Sequence, residues 1–365
     1  MRNEPQAQEE PRFGPEAGDA SAGPGPALPL VIRPGGGGAA ERDPGRLADW
    51  LRARSGWVQE RLSRHGALLL RGFDVQGPQD FERVARAVDD DLKREYLGTS
   101  PRDALTEYVF SASELPDYYP IPQHCEMSFL PTPPRRVFFS CLLEPAPGSG
   151  ETPLADFRKV WRDLDPGLRE RFEERGLRIV RNYSGPEGGG RFDLWKLKRW
   201  DEMFGTADRA AVEARCKEQG FETSWTERGG LRLVSTQPIS RVHPVTGERV
   251  WHNHLTTFHL SAAPGEYARI QRLRPSLRHL FFWQLSRCLV AWKRRTPADE
   301  QALHCTFRDG SEIPDTDVEQ VREAVWRHLV IEPWRRGDVL AIDNHSVSHG
   351  RLPYRGPRKV AVCWA

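Results

Sequence analysis

No apolar run in this chain of 365 residues approaches the ~20 needed to span a bilayer, and its start has no signal-peptide core, so a cytoplasmic protein that does not enter a membrane is expected. The six cysteines (Cys125, Cys141, Cys216, Cys288, Cys305, Cys363) are scattered without a CxxC pair. That argues against a disulfide framework and a zinc knuckle. Neither sign of charge prevails: 53 Lys plus Arg face 51 Asp plus Glu, a formal net charge of +2. Such a balance gives no global case for a nucleic-acid partner. Arg135-Arg136 and Lys293-Arg294-Arg295 read as solvated surface.

Residues 1–27 are rich in Gly, Pro, Ala and Glu, with Phe13 their one aromatic, and cannot bury enough surface to offset ordering entropy. A disordered tail is expected there, followed by a single domain over 28–365. Within it, Leu28 to Ile32 reads as a short strand and Leu47 to Arg64 as an amphipathic helix. Gly66 to Phe73 reads as a buried strand and Phe81 to Leu92 as another helix. Strands are expected at Val137 to Leu143, Leu231 to Val234, Val250 to Leu255, Val339 to Asp343 and Lys359 to Trp364. A helix from Phe157 should break at Pro166 and resume to Arg175, and further helices are expected over 265–293 and 316–328. The polar, glycine-interrupted stretch 185–230, with Trp195, Trp200, Met203 and Phe204, reads as a helical lid inserted over the core, its aromatics packing it down. Antiparallel sheet with helices outside is an α+β arrangement with a barrel-like core.

The chemistry concentrates in His124-Cys125-Glu126 and in His349-Gly350-Arg351. Alternate residues of a strand share a face, so His124 and Glu126 can point into one site while Cys125 turns away as a small buried apolar residue. A distant histidine completes two imidazoles and a carboxylate, the facial set suited to a non-haem Fe(II) that keeps positions open. His345 competes with His349 for the third place. His252 and His254, with His243 and His259 nearby, form an HxH pair whose spacing also suits zinc. They lack an evident third ligand and a general base at HExxH spacing, which weakens the zinc-hydrolase reading.

Four segments, Ile121 to Phe129, Gly150 to Asp156, His243 to Asn253 and Asp343 to Arg358, resemble in order and spacing the TauD/TfdA family of Fe(II)- and 2-oxoglutarate-dependent dioxygenases. The wording is closest to the clavaminate-synthase-like and syringomycin-type hydroxylases. The resemblance implies a double-stranded β-helix (jelly-roll, cupin-like) core and iron ligation by His124, Glu126 and His349. It also implies that Thr152 and Arg358 hold the far carboxylate of 2-oxoglutarate, with Arg355 or Lys359 as rivals to Arg358 and an inward-facing strand position for it beside Val360, Val362 and Trp364. Glu in place of the commoner Asp favours the amino-acid hydroxylases, and its presence argues against halogenation.

The expected activity is therefore hydroxylation of an unactivated carbon of an amino acid or related metabolite, free or bound to a carrier protein. Dioxygen and 2-oxoglutarate would be consumed and succinate and carbon dioxide released, in a secondary-metabolite or antibiotic pathway. Desaturation, epoxidation and cyclisation use the same cofactors and stay open. A catalytically silent binding protein is the remaining alternative.

Overall fold

The computed structural model describes residues 13–15, 26–36, 38–94, 102–113, 115–186, 197 and 199–365. The expected disordered tail therefore lies largely outside the described residues, as do Trp195 and the Gly188 to Gly190 run of the insertion.

Two sheets face one another across the core. The major sheet runs Phe13–Pro15, Leu30–Pro34, Ala67–Leu70, Val339–Asp343, Arg136–Leu143, Lys359–Trp364, Phe110–Ser111. All its pairs are antiparallel except Leu30–Pro34 against Ala67–Leu70. The minor sheet runs Leu329–Val330, Leu154–Asp156, Val347–Arg351, Ile121–His124. Together they form the jelly roll of an α+β protein. Major-sheet side chains alternate strictly. Val137, Phe139, Leu340, Ile342, Val360 and Val362 face the minor sheet, while Phe138, Val339, Ala341 and Ala361 face outward. The outward set is covered by the helices Pro44–Ala53, Ser55–His65 and Pro78–Val88. With both faces buried, these strands read in the sequence as continuous apolar runs.

A third sheet, ordered Leu303–Phe307, Leu177–Tyr183, Leu231–Gln237, Glu222–Trp225, closes over the site. The insertion supplies its edge strand and two helices, Trp200–Phe204 and Arg209–Glu218, so it is not purely helical. Trp200 and Phe204 pack it down as expected, both buried, with the Trp200 indole N–H donating to Gly229 O at 2.9 Å.

Three elements depart from expectation. The 47–64 helix is two helices, interrupted at Arg54 (φ −120°, ψ 29°). The 265–293 helix is also two, Ala262–Leu273 and Leu277–Lys293, separated around Pro275, whose ring excludes the helical conformation of its predecessor. The 250–255 strand ends at Trp251, because the Asn253 side chain accepts from Leu255 N–H at 2.9 Å and starts the helix Leu255–Phe258.

Candidate active site

His349 and His124 are direct partners in the antiparallel pairing of Val347–Arg351 with Ile121–His124, so both side chains leave the same face. Their ring centroids are 4.5 Å apart. Gly350 permits the close approach, because a Cβ there would lie 2.6 Å from both Ile121 O and Gln123 Nε2. The strand Ile121–His124 stops at His124, so Glu126 arrives by a turn and not by strand alternation. Met127 holds that turn in the left-handed region, φ 49°. Asn344 fixes it: its carbonyl oxygen accepts from Glu126 N–H at 2.7 Å, and its amide donates to Glu126 O at 3.0 Å and to Pro134 O at 2.7 Å.

The result is convergence. One donor atom each from His124, Glu126 and His349 lies within 4.8 Å of the others; Glu126 and His349 are deeply buried and His124 is half-buried. His124 donates Nδ1–H to Pro122 O at 2.9 Å, which leaves Nε2 with its lone pair. Burial, reinforced by His349, pushes the His124 imidazole down to about 4. Burial pushes the Glu126 carboxyl up, but Arg102 and the two histidines override it, holding it well below the usual carboxylate range. At neutral pH the His124 imidazole is neutral and Glu126 is a carboxylate, the protonation of these two donors that a divalent metal requires. The donors fit Fe(II).

Arg102 contacts Glu126 Oε2 at 3.0 Å, with both side chains buried. Thr152 and Arg358 also converge. The Arg358 Nε–H donates to Gly150 O at 2.8 Å, and its Nη2 lies 3.4 Å from Thr152 Oγ1. Gly150 (φ +69°) is required in this turn: a Cβ would sit 2.7 Å from Tyr354 Cβ and 3.1 Å from Arg358 Cδ. Trp334 donates its indole N–H to Thr152 Oγ1 at 3.2 Å. Burial, with Arg351 nearby, pulls the Arg358 guanidinium down to about 10. Arg358 lies one residue before its strand begins, not within it, while Arg355 and Lys359 are exposed.

The rivals fall elsewhere. His345 sits edge-on to His243 at 5.7 Å, outside the ligand cluster. Among the described residues His252 and His254 join no three-donor cluster, which removes the support for a zinc hydrolase there; His254 instead meets Ser128 Oγ at 2.6 Å. Cys125 is fully buried, as expected. A second cluster, His259, His304 and Glu312, has the same composition. There, however, the Leu260 N–H donates to His304 Nδ1 at 3.2 Å, so the proton resides on His304 Nε2, which faces Glu312 Oε2 at 3.0 Å. That is a hydrogen-bond chain. Sequence reasoning missed Arg102, Trp334 and Asn344, which lie in loops without local pattern.

The family described as taurine catabolism dioxygenase TauD, TfdA family, matches residues 32–364. The dapdiamide synthesis protein DdaC of Enterobacter agglomerans is 30% identical over 305 residues, 84% of this chain and 83% of DdaC. A clavaminate synthase-like protein of Arabidopsis thaliana is 29% identical over 320 residues, 85% of this chain and 84% of that protein. Among solved structures, PvcB of Pseudomonas aeruginosa aligns with a TM-score of 0.49 at 16% identity, covering 100% of this chain and 94% of that one. Matched over nearly its whole length, the chain belongs to the TauD/TfdA family and is an Fe(II)- and 2-oxoglutarate-dependent oxygenase that uses dioxygen.

Proposed function

We propose that the protein hydroxylates an unactivated carbon of an amino acid or related small metabolite, as a step in secondary-metabolite biosynthesis. His124, Glu126 and His349 hold the iron, and Thr152 and Arg358 anchor the far carboxylate of 2-oxoglutarate. The observation that carries this reading is the meeting of the three donors within 4.8 Å, from two distant segments of the chain. When bound, iron with its cosubstrates supplies an oxidant for a C–H bond; substrate, O2 and 2-oxoglutarate become hydroxylated substrate, succinate and CO2.

The protein's own groups set the conditions. Arg102 keeps Glu126 ionised and orients its carboxylate, while Pro122 O fixes the tautomer of His124. Arg358 and Trp334 both point N–H donors at the Thr152 oxygen, so the Thr152 proton is left for a ligand carboxylate. In this desolvated setting a planar guanidinium fork and a hydroxyl suit a carboxylate better than a lone ammonium would. Phe139, with its ring 4.9 Å from that of His349, keeps one side of the centre dry. DdaC, named for dapdiamide synthesis, supports a biosynthetic role.

Adding Fe(II) and then 2-oxoglutarate without oxygen should give the weak visible charge-transfer band of the chelate. No band in the wild type sinks the assignment. With substrate and air, mass spectrometry should show a gain of one oxygen, and a loss of two hydrogens would replace hydroxylation by desaturation. Succinate formation with free amino acids, compared with carrier-bound aminoacyl groups, decides whether a carrier protein presents the substrate.

A further inference from the structure

The third sheet turns toward the metal centre a face that holds a buried cation without an anionic partner. Arg181 is 0% exposed, and among the described residues its guanidinium pairs with no carboxylate and faces the neutral Tyr183 phenol. Opposite it on the neighbouring strands stand Leu233 and Leu303, which offer no acceptor. Its Cζ lies 4.5 Å from the Phe129 ring centroid and 4.6 Å from that of Phe221. The two rings are themselves 6.3 Å apart, so they form a corner and not a sandwich, and neither offers the guanidinium an anionic acceptor.

Two ring contacts lead from there to the ligand set. Phe129 lies 5.1 Å from His254, and His254 lies 5.1 Å from His124. Tyr183, two residues along the same strand and on the same face, turns a buried hydroxyl toward Arg181, which leaves the phenol proton for a further acceptor.

A charge in this position weakens the fold: ring faces attract a cation but accept no N–H in its plane, and a neutral side chain of similar shape would pack at lower cost. Its presence is accounted for when an oxyanion arrives as the missing counter-charge. The in-plane N–H fork, which ring faces do not engage, matches a planar carboxylate, and a phenol donor stands beside it.

We propose that Arg181 anchors a carboxylate of the substrate, with Tyr183 as an additional donor. The substrate is then a small carboxylate-bearing molecule whose far end reaches the His124, Glu126 and His349 centre. This rests on the placement of the metal given above and adds the class of group that the substrate must carry. Arg358 serves 2-oxoglutarate, and Arg181 serves the substrate.

The test uses the full-length protein loaded with Zn(II) and saturating 2-oxoglutarate, so that the Arg358 site is filled and no turnover occurs. Thermal unfolding is followed with propionate, methylphosphonate or neutral propionamide at matched ionic strength. Propionate should raise the melting temperature by a few degrees and propionamide should not. Arg181→Met should lose the propionate response while melting, without ligand, at or above the wild-type temperature. Arg181→Lys, which keeps the charge but not the fork, should respond more weakly than wild type.

The proposal is overturned if the wild type does not respond to propionate, if Arg181→Met still does, or if Arg181→Met melts below wild type, which would make the residue structural. A larger response to methylphosphonate than to propionate overturns the assignment to a carboxylate. Failure of the metal reading would show separately, as absence of the Fe(II)–2-oxoglutarate band, which Arg181→Met should leave in place.

Discussion

Among the described residues, two places bring two imidazoles and a carboxylate within 4.8 Å of one another. At His124, Glu126 and His349 the hydrogen bonds run outward: His124 gives its proton to Pro122 O, and Glu126 is braced from behind by Arg102. At His259, His304 and Glu312 they run inward, from His304 to Glu312 at the surface, and backbone N–H groups occupy the Nδ1 atoms of both rings. Donor type and spacing are therefore insufficient to define a metal centre. What separates the two is where the protons reside, which second neighbours decide.

The largest effect should follow removal of a ligand. His124→Ala or His349→Ala should abolish the anaerobic band and lower turnover at least about a thousandfold, since the metal supplies several kcal/mol of stabilisation. Full activity in either would erase the distinction between the clusters. Next comes the cosubstrate pair. Arg358→Ala should raise the KM for 2-oxoglutarate roughly a hundredfold, and Thr152→Val roughly tenfold, from the loss of one charged and one neutral hydrogen bond. An unchanged KM in Arg358→Ala would move the anchor elsewhere. Arg102→Ala should weaken Fe(II) or Co(II) binding about tenfold or more, as losses of outer partners do, and a metal titration measures it directly.

The smallest effects belong to the second cluster. His304→Gln and Glu312→Gln should leave the metal content at one ion per chain and shift stability by about 1 kcal/mol; a drop in bound metal would reverse the comparison. His259 has a different consequence for pH. Burial, with His304 adding to it, pushes its imidazole from 6.5 to about 3, so the folded chain keeps it neutral where the unfolded chain binds a proton. Stability should then fall as pH drops from about 6.5 toward 3, by on the order of 3 kcal/mol at pH 4 from this residue alone. Urea midpoints at pH 7 and pH 4 measure the slope, which His259→Gln should flatten.

What could be read from the sequence follows the same division. Strands buried on both faces, such as Ala67–Leu70, Arg136–Leu143 and Val339–Asp343, show as apolar runs and were legible. Val347–Arg351 was not, because its Ser348, His349 and Gly350 lie at the candidate site and blunt the strand signal. Leu177–Tyr183 escaped similarly, carrying Arg178, Arg181 and Asn182. The three candidate ligands were visible through residue type and order. Arg102 and Asn344 were not, since they reach Glu126 across 24 and 218 residues of chain, and no periodicity marks such a contact.

Asn344 grips position 126 entirely by its main chain, through one bond to the N–H and one to the carbonyl. The shape of that turn thus owes nothing to which side chain projects from it. A Glu126→Gly or Glu126→Ala chain should keep the same backbone path and present a vacated coordination position where a halide could enter. A single asparagine would then let evolution, or an engineer, exchange the anionic ligand without rebuilding the pocket.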